Sequence, residues 1–596
     1  MSRNDRAARF DALDQSSIDV LIIGAGINGA STFRELTLNG VSVLLVDSGD
    51  YCAGASAAPS RLIHGGLKYL ENGEFRLVAE STHERNRLLL NAPHLVKPLP
   101  CTVPFDSWFG GLFSSAFRFL RLPHGQFRKR GTVIVKLGLM IYDWLGRKQR
   151  AMPVHTVRGR TQTHDLFPLL DPSVIASATY YDALITQPER LCLELVIDAE
   201  KELHSTGVAL NYARVVGREG EQVVIRDEID PGAELQHETT AGVTSKDRFR
   251  QERRRHFRPQ PGQGKREIRV TPRLVINAAG PWIDKVNRLF GIDQRYIGGS
   301  KGSHLILDHP ELHAGLNGHM LYFETGDNRL CLAYPIGDRV LVGTTDIRID
   351  DPDDARCEPE EVDYLFDVLG KLLPGVSIKP AHIVYRYSGV RPLPYAGDVG
   401  IGSVSRDHSI EVEEPNDERP FPIASLIGGK WTTFRAFGEV AANLALDRLM
   451  RTRTRHTHDL AIGGGRGFPR DGNLASITAQ LSATYELSPV IIMNLLHRHG
   501  CNVTVVEAVA AKGGARPLSS APAFLTGEIR YLCQHEAVAR LEDLVFRRTT
   551  LALEGRASDA VVNEIGAIAA AILGWDSDRR DREVANCKAH LALDSG

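Results

Sequence analysis

Asp19-Val20-Leu21-Ile22-Ile23-Gly24-Ala25-Gly26-Ile27-Asn28-Gly29-Ala30 decides how this chain is read. An apolar run passes into a glycine turn and then into a helix-forming stretch, the order of a dinucleotide-binding unit. Gly24 allows the tight turn, Gly26 lets a pyrophosphate approach the backbone, and Gly29 lets the helix pack close to the strand. The unsatisfied N–H groups and partial positive charge of the helix N-terminus would face the phosphates. A lone GxGxxG also serves ordinary turns, so the second half of the unit matters. Val41-Ser42-Val43-Leu44-Leu45-Val46 is another apolar strand, and Asp47 closes it. A carboxylate there can accept both hydroxyls of an adenosine ribose and would repel a 2′-phosphate.

The chain has 596 residues, enough for two or three domains, and 71 basic against 73 acidic side chains. That balance gives no global reason to expect nucleic acid. Its eight cysteines (52, 101, 192, 331, 357, 501, 533 and 587) are scattered without a CxxC pair, which argues against a zinc or iron–sulfur site and against a disulfide scaffold. No metal is expected, and a reducing compartment is. Met1 to Ser17 is polar, with neither the apolar core of a signal peptide nor the acid-free character of a transit peptide. No apolar run reaches about 18 residues, so no membrane-spanning helix is expected.

Beyond the first unit, Ser56-Ala57-Ala58-Pro59-Ser60-Arg61-Leu62-Ile63-His64-Gly65-Gly66 combines small residues with His-Gly-Gly, suited to a backbone lying against a flat ligand. Residues 74–91 read as an amphipathic helix. In 106–150, Trp108, Phe109, Phe113, Phe117, Phe119 and Phe127 alternate with Arg118, Arg121, Arg128, Lys129 and Arg130. Aromatics beside cations suit an element lying in a lipid interface, and a core helix with a charged rim is the alternative. Residues 178–215 read as helix then strand, and 233–268 as a basic, aperiodic insertion. Arg273 to Asn277 is a buried strand that breaks at Ala278-Ala279-Gly280-Pro281-Trp282, a second glycine turn that favours FAD over NAD. Ser303–Leu307, Leu321–Glu324, Leu330–Pro335 and Val340–Thr344 alternate like antiparallel strands. Beyond about 465 the pattern turns helical, at Leu481–His499, Ile529–Val545 and Asp559–Leu573.

Together these stretches resemble the FAD-dependent glycerol-3-phosphate dehydrogenases. The match is carried by Ile23-Gly-Ala-Gly-Ile-Asn-Gly29, Arg61-Leu-Ile-His-Gly-Gly-Leu-Lys-Tyr-Leu70, Asn277-Ala-Ala-Gly-Pro-Trp282 and Lys301-Gly-Ser-His304. Val342-Gly-Thr-Thr-Asp346, Ser388-Gly-Val-Arg-Pro-Leu393 and Gly428-Gly-Lys-Trp-Thr-Thr-Phe-Arg435 follow in order, and Ala537 to Thr549 looks like the family's helical cap. The expected fold is α/β: a Rossmann-like FAD-binding domain of glutathione-reductase type, an antiparallel β-sheet substrate domain and an α-helical C-terminal domain. The FAD domain would take roughly 17–100, 180–232, 268–300 and 388–450 within 17–460, the substrate domain 101–180 and 300–388, and the helical domain 465–596.

The resemblance implies oxidation of sn-glycerol 3-phosphate to dihydroxyacetone phosphate, with hydride passing from C2 to flavin N5 and electrons going on to membrane quinone. It makes Arg329 and Arg391 the ligands of the substrate's phosphate and hydroxyl, and sets Lys430 and His64 beside the reacting carbon, with Lys68 nearby. The chemistry suits the types: guanidinium forks match two phosphate oxygens, and a histidine near neutral pKa can take the C2 hydroxyl proton. Lys430 would orient that hydroxyl and stabilise the developing alkoxide. Carried over by motif, the expected FAD contacts are Gly24, Gly26, Ile27, Asn28, Gly29, Asp47, Ser60, Arg61, Gly65, Gly66, Ala279, Gly280, Trp282, Gly389, Gly429, Lys430 and Thr432. Two departures stand out: Lys68 replaces a common arginine, and Ala57-Ala58-Pro59 replaces a serine-rich stretch. They leave another polyol phosphate, such as a tetritol phosphate, open as substrate. An oxygen-using glycerol-3-phosphate oxidase, a non-enzymatic flavoprotein and a plain NAD dehydrogenase are the rival readings. The expected setting is cytoplasmic, peripheral on the inner face of the cytoplasmic membrane through 106–150, with a homodimer implied by the family alone.

Overall fold

The computed structural model describes residues 3–66, 74–106, 152–202, 206–229, 266–324, 329–397, 407–470 and 472–594. Lys68, the insertion at 233–268 up to residue 265, and the aromatic and basic segment at 106–150 beyond Asp106 lie outside the described residues.

Ser16–Ile23 sits at the middle of the first sheet, between Val43–Val46 and Glu267–Asn277. Gly207–Leu210 and Ile423–Ile427 extend the parallel set on either side, and Ser409–Glu413 closes one edge antiparallel. Every residue of Val43–Val46 and Ile423–Ile427 is buried, as an unbroken apolar strand covered on both faces must be. Alternate side chains divide between the two layers. Val20, Ile22, Val43, Leu45 and Ile276 meet Phe33, Leu36, Phe434 and Phe437 from the helices Ile27–Leu38 and Phe434–Arg448. Leu21, Ile23, Leu44, Val46 and Val275 meet the hairpin Ala213–Glu219/Gln222–Asp227 and Phe10, Phe290 and Phe421. Phe10 belongs to a leading helix, Arg3–Asp11, whose Arg6 is buried against Asn211 and Asp227.

Among the described residues the second sheet has ten strands, antiparallel except where Met320–Glu324 runs alongside Val96–Phe105. It contains the alternating segments expected between 300 and 345. Helix Pro359–Leu372 covers one face. The ladder between Val96–Phe105 and Ala176–Ile185 runs ten residues, straight through the boundaries expected at 100 and 180. Ala176–Ile185 is a strand where a helix was expected to begin. Pro98, Pro100 and Pro104 hide its partner from a propensity reading. They sit at alternate positions, so the missing donors all fall on one edge of the strand.

Past residue 465 the described elements are helices around their own core. The helix expected at Leu481–His499 is two, Ala475–Tyr485 and Pro489–His499. Glu486 turns left-handed, Ser488 caps the next helix and Pro489 occupies its first turn. The helix expected at Ile529–Val545 ends at His535, and a single wide turn, Asp543–Arg548, follows. Among the described residues no helix is long and apolar enough to cross a membrane.

Candidate functional site

One cavity of about 1220 Å3 runs from the glycine turn to the second sheet. At the turn, Gly24 has φ +106°, and a Cβ there would sit 2.6 Å from the Ala278 carbonyl oxygen. The two glycine turns expected from sequence therefore touch each other. A Cβ at Gly29 would run into the Gly24 carbonyl, so the helix can approach the strand only without one. Gly26 precedes the helix Ile27–Leu38 with no side-chain cap of its own, and Gly26, Ile27 and Asn28 line the cavity wall. Ser56 Oγ accepts from the Ile27 N–H at 3.0 Å.

Asp47 ends the neighbouring strand. Its two carboxylate oxygens accept from the N–H groups of Ala25 at 2.7 Å and Gly49 at 2.8 Å. Burial pushes its pKa up to about 6, against those two hydrogen bonds. Each oxygen keeps acceptor capacity for a ribose hydroxyl. Arg214, Val215 and Val216 complete this end.

The cavity is also walled by Ser56, Ala58, Pro59, Ser60, Trp282, Gly389 and Gly428 to Thr432. The second sheet holds the 59–60 backbone from below: Tyr387 donates to the Pro59 carbonyl and Tyr334 to the Ser60 carbonyl, each at 2.9 Å. Ser60 Oγ meets His304 Nε2 at 2.8 Å, and His304 stacks on Tyr387. Burial, with Arg391 and Arg61, holds His304 down at about 3, so it is neutral at working pH. Asn28 Oδ1 and His304 Nδ1 are buried with no hydrogen-bond partner among the described residues. Unsatisfied polar atoms beside an elongated groove, a carboxylate at one end and a glycine cradle in the middle fit a bound dinucleotide flavin.

His64, Arg329, Arg391 and Lys430 line the same cavity, as do Tyr180, Asp182, Tyr322, Thr344 and Asp346. Arg391 Nη1 donates to Asp346 at 3.0 Å and Nη2 to Thr344 Oγ1 at 3.1 Å. Arg329 lies over the Tyr364 ring at 5.5 Å, and Lys430 Nζ donates to Ser81 Oγ at 2.8 Å. His64 and Thr432 exchange two hydrogen bonds, backbone N–H to hydroxyl and hydroxyl to backbone carbonyl, both 3.1 Å. The next peptide is pinned by Asp182 Oδ1, which accepts from the Gly65 N–H and from Arg85, each at 2.9 Å.

Most of the expected contacts line this cavity: Gly24, Gly26, Ile27, Asn28, Asp47, Ser60, His64, Gly66, Ala279, Gly280, Trp282, Arg329, Gly389, Arg391, Gly429, Lys430 and Thr432. Three stand off its wall. Gly29 packs behind the turn and Gly65 is tied to Asp182. Arg61 turns away to Glu189 at 2.7 Å and the Thr186 carbonyl at 2.8 Å, because a buried guanidinium takes the carboxylate that the helix Pro188–Lys201 brings to it. Sequence reading missed Ser56, Asp182, Tyr334, Thr344, Asp346 and Tyr387. Ser56 opens the small-residue stretch before His64, and Thr344 and Asp346 fall within the Val342 to Asp346 motif. The tyrosines and Asp182 carry no local signal, since their partners come from other sequence regions.

Residues 19–444 match the family model described as FAD dependent oxidoreductase, and residues 455–580 match the C-terminal domain of alpha-glycerophosphate oxidase. A glycerol-3-phosphate dehydrogenase of Synechocystis sp. is 30% identical over 96% of this chain and 96% of its own length. A D-erythritol 1-phosphate dehydrogenase of Brucella abortus is 28% identical, over 90% of this chain and 95% of its own. The solved structure of the Bacillus halodurans glycerol-3-phosphate dehydrogenase complexed with FAD superposes with a TM-score of 0.72, covering 100% of this chain and 98% of that one at 21% identity.

Proposed function

This chain is an FAD-dependent oxidoreductase of the glycerol-3-phosphate dehydrogenase family, and on that premise we propose that it oxidises sn-glycerol 3-phosphate at C2, giving dihydroxyacetone phosphate. The observation that supports the reading is that His64, Arg329, Arg391 and Lys430, from separate parts of the chain, all line the one cavity. Bound FAD supplies the two-electron acceptor for the hydride that leaves C2. Arg329 and Arg391 bind the phosphate and a hydroxyl. Arg391 arrives with its fork already oriented by Asp346 and Thr344, so less freedom is lost when an oxyanion binds. His64 takes the C2 hydroxyl proton as the C–H bond breaks. Lys430 holds that oxygen and stabilises the charge it gains, with Ser81 setting the ammonium's position.

As electron acceptor we propose membrane quinone, with peripheral contact on the inner face of the cytoplasmic membrane through 106–150. The erythritol-phosphate relative supports a second substrate reading, a longer polyol phosphate in the same cleft. The deciding experiment is anaerobic absorbance of the purified protein at the flavin band. Bleaching by sn-glycerol 3-phosphate supports the proposal. Bleaching by D-erythritol phosphate alone moves the assignment to the longer substrate, and no bleaching by either rejects both. Peroxide released in air without added quinone would replace quinone by oxygen.

A further inference from the structure

The helical C-terminal domain meets the nucleotide domain through a buried set of charges centred on Asp50, three residues beyond the strand-ending Asp47. Asp50 Oδ2 accepts from Arg547 Nε at 2.6 Å and Arg548 Nη1 at 2.8 Å. Its Oδ1 accepts from Arg548 Nη2 and from Asn211 Nδ2, both at 2.9 Å. The side chains of Asp50 and Arg548 are 0% and 1% exposed. Neighbouring ties bind the same surfaces. Tyr212 OH donates to Asp543 at 2.6 Å, Arg547 reaches Asp543 as well, and Arg190 forms a paired bridge with Glu536 at 2.7 and 2.8 Å.

We propose that the C-terminal domain is a clasp for the cofactor: Arg547 and Arg548, acting through Asp50, hold the 47–52 loop so that Asp47 presents an ionised carboxylate to the adenosine ribose. Asp50 is thus a positioning residue for FAD retention. The inference rests on the reading of Asp47 as the ribose acceptor.

Two independent features carry it. The first is mechanical. Asp47 is hydrogen-bonded to Gly49 N–H, the Gly49 carbonyl accepts from Tyr212 at 2.7 Å, and the Asp47 carbonyl accepts from Ala213 at 2.6 Å. Residues 211–212 are themselves held by the C-terminal domain, since Asn211 Nδ2 also donates to the Ala537 carbonyl at 2.9 Å and Tyr212 to Asp543. The loop's ties therefore lead, within one or two residues, to the clasp. The second is electrostatic. The charged groups facing Asp47 are Asp50, which disfavours its ionisation, and Arg214, which favours it. Arg547 and Arg548 neutralise Asp50 and so shield Asp47 from a like charge. Docking two domains needs no such arrangement, because apolar side chains would do so without the desolvation cost of buried ions.

The test uses full-length protein stripped of FAD and titrated with FAD while flavin fluorescence is followed between pH 5 and 8. Arg548→Gln is expected to raise the FAD Kd on the order of tenfold or more, and to move the pH midpoint of binding upward, with kcat at saturating FAD unchanged. The charge-compensated Asp50→Asn/Arg548→Gln protein, which also serves if the single variant does not fold, is expected to restore the pH midpoint but not the Kd, since the tie is lost and the like charge is gone. Arg448→Gln, in an exposed pair with Glu414, is the control and should leave both unchanged. Wild-type Kd and midpoint in the folded variants, with melting of apo and holo forms lowered equally, would overturn the clasp. Asp47→Asn separates the two ideas. If it leaves FAD affinity unchanged, the ribose reading fails; if it weakens FAD while the clasp variants do not, the clasp alone fails.

Discussion

Gly302→Ala tests the substrate end without removing a charge. Gly302 lies in the strand Ser300–Leu307, beneath the Arg391 guanidinium. A Cβ there would stand 2.7 Å from Thr344 Oγ1 and 2.8 Å from Arg391 Cζ, and closer still to Nη2. Ordinary contact needs about 3.5 Å or more, so the guanidinium must retreat by roughly 1 Å. It cannot do so freely, because Asp346 at 3.0 Å and Thr344 at 3.1 Å hold it. The obstructing atoms are side-chain ends rather than backbone, so the strand survives the change, and alanine in a strand is itself favoured over glycine by roughly 0.5–1 kcal/mol. Displacing a positioning cation by about 1 Å costs on the order of a hundredfold in rate, or about 2.7 kcal/mol of transition-state stabilisation. The assay is steady-state kcat/KM for sn-glycerol 3-phosphate with an artificial acceptor, alongside flavin content and melting temperature. The expected result is a folded protein with full FAD content and kcat/KM down on the order of a hundredfold. Wild-type kcat/KM at full flavin content would refute the placing of Arg391 on the substrate.

Further outcomes follow from the same geometry. Lys430→Met should lower kcat by roughly a hundredfold with FAD still bound, as loss of one donor to a developing oxyanion does; a change within about twofold would remove Lys430 from the chemistry. Tyr334→Phe and Tyr387→Phe each delete a donor to the 59–60 backbone, at about 1 kcal/mol apiece, and the double variant should shift the flavin absorption envelope; an unaltered envelope would detach that backbone from the flavin. Acid stability has a definite sign. His304, held at about 3 by burial and by Arg391 and Arg61, takes up its proton more readily when unfolded, so its contribution is present above pH 6.5 and is lost as pH falls below it. Asp50 and Glu528 are held near 2 by Arg548 and Arg547 and by Arg498, despite burial that would raise them, and their contribution is full above about pH 4 and is lost as pH falls from there through about 2. Between about 6 and 4 Asp47, raised to about 6 by burial, takes up a proton with the opposite sign and offsets His304, so melting temperature should fall most steeply below pH 4, and a profile no steeper below 4 than above it would contradict the paired Asp50 and Glu528.

The sequence alone determined the parts whose cause is local. A glycine that must turn left-handed, a strand apolar on both faces and a carboxylate at a strand end are written in adjacent residues, so the nucleotide unit around Gly24 and Asp47 was legible, and so were the alternating strands from 300 to 345. The cation set His64, Arg329, Arg391 and Lys430 was legible as motif membership, and tertiary structure brought it into one cavity. What only the tertiary structure decided is which partner each buried polar group finds. Arg61 is drawn off the expected cofactor wall because Glu189 is there to neutralise it, and the backbone of Pro59 and Ser60 is held by tyrosines from residues 334 and 387. Val96–Phe105 is a strand despite three prolines, because Ala176–Ile185 supplies a ladder on its other edge. Asp50 matters through Arg547 and Arg548, almost five hundred positions away. The physical reason is common to all of these. Backbone conformation is chosen largely by neighbours in sequence, whereas the satisfaction of a buried charge or carbonyl is chosen by neighbours in space.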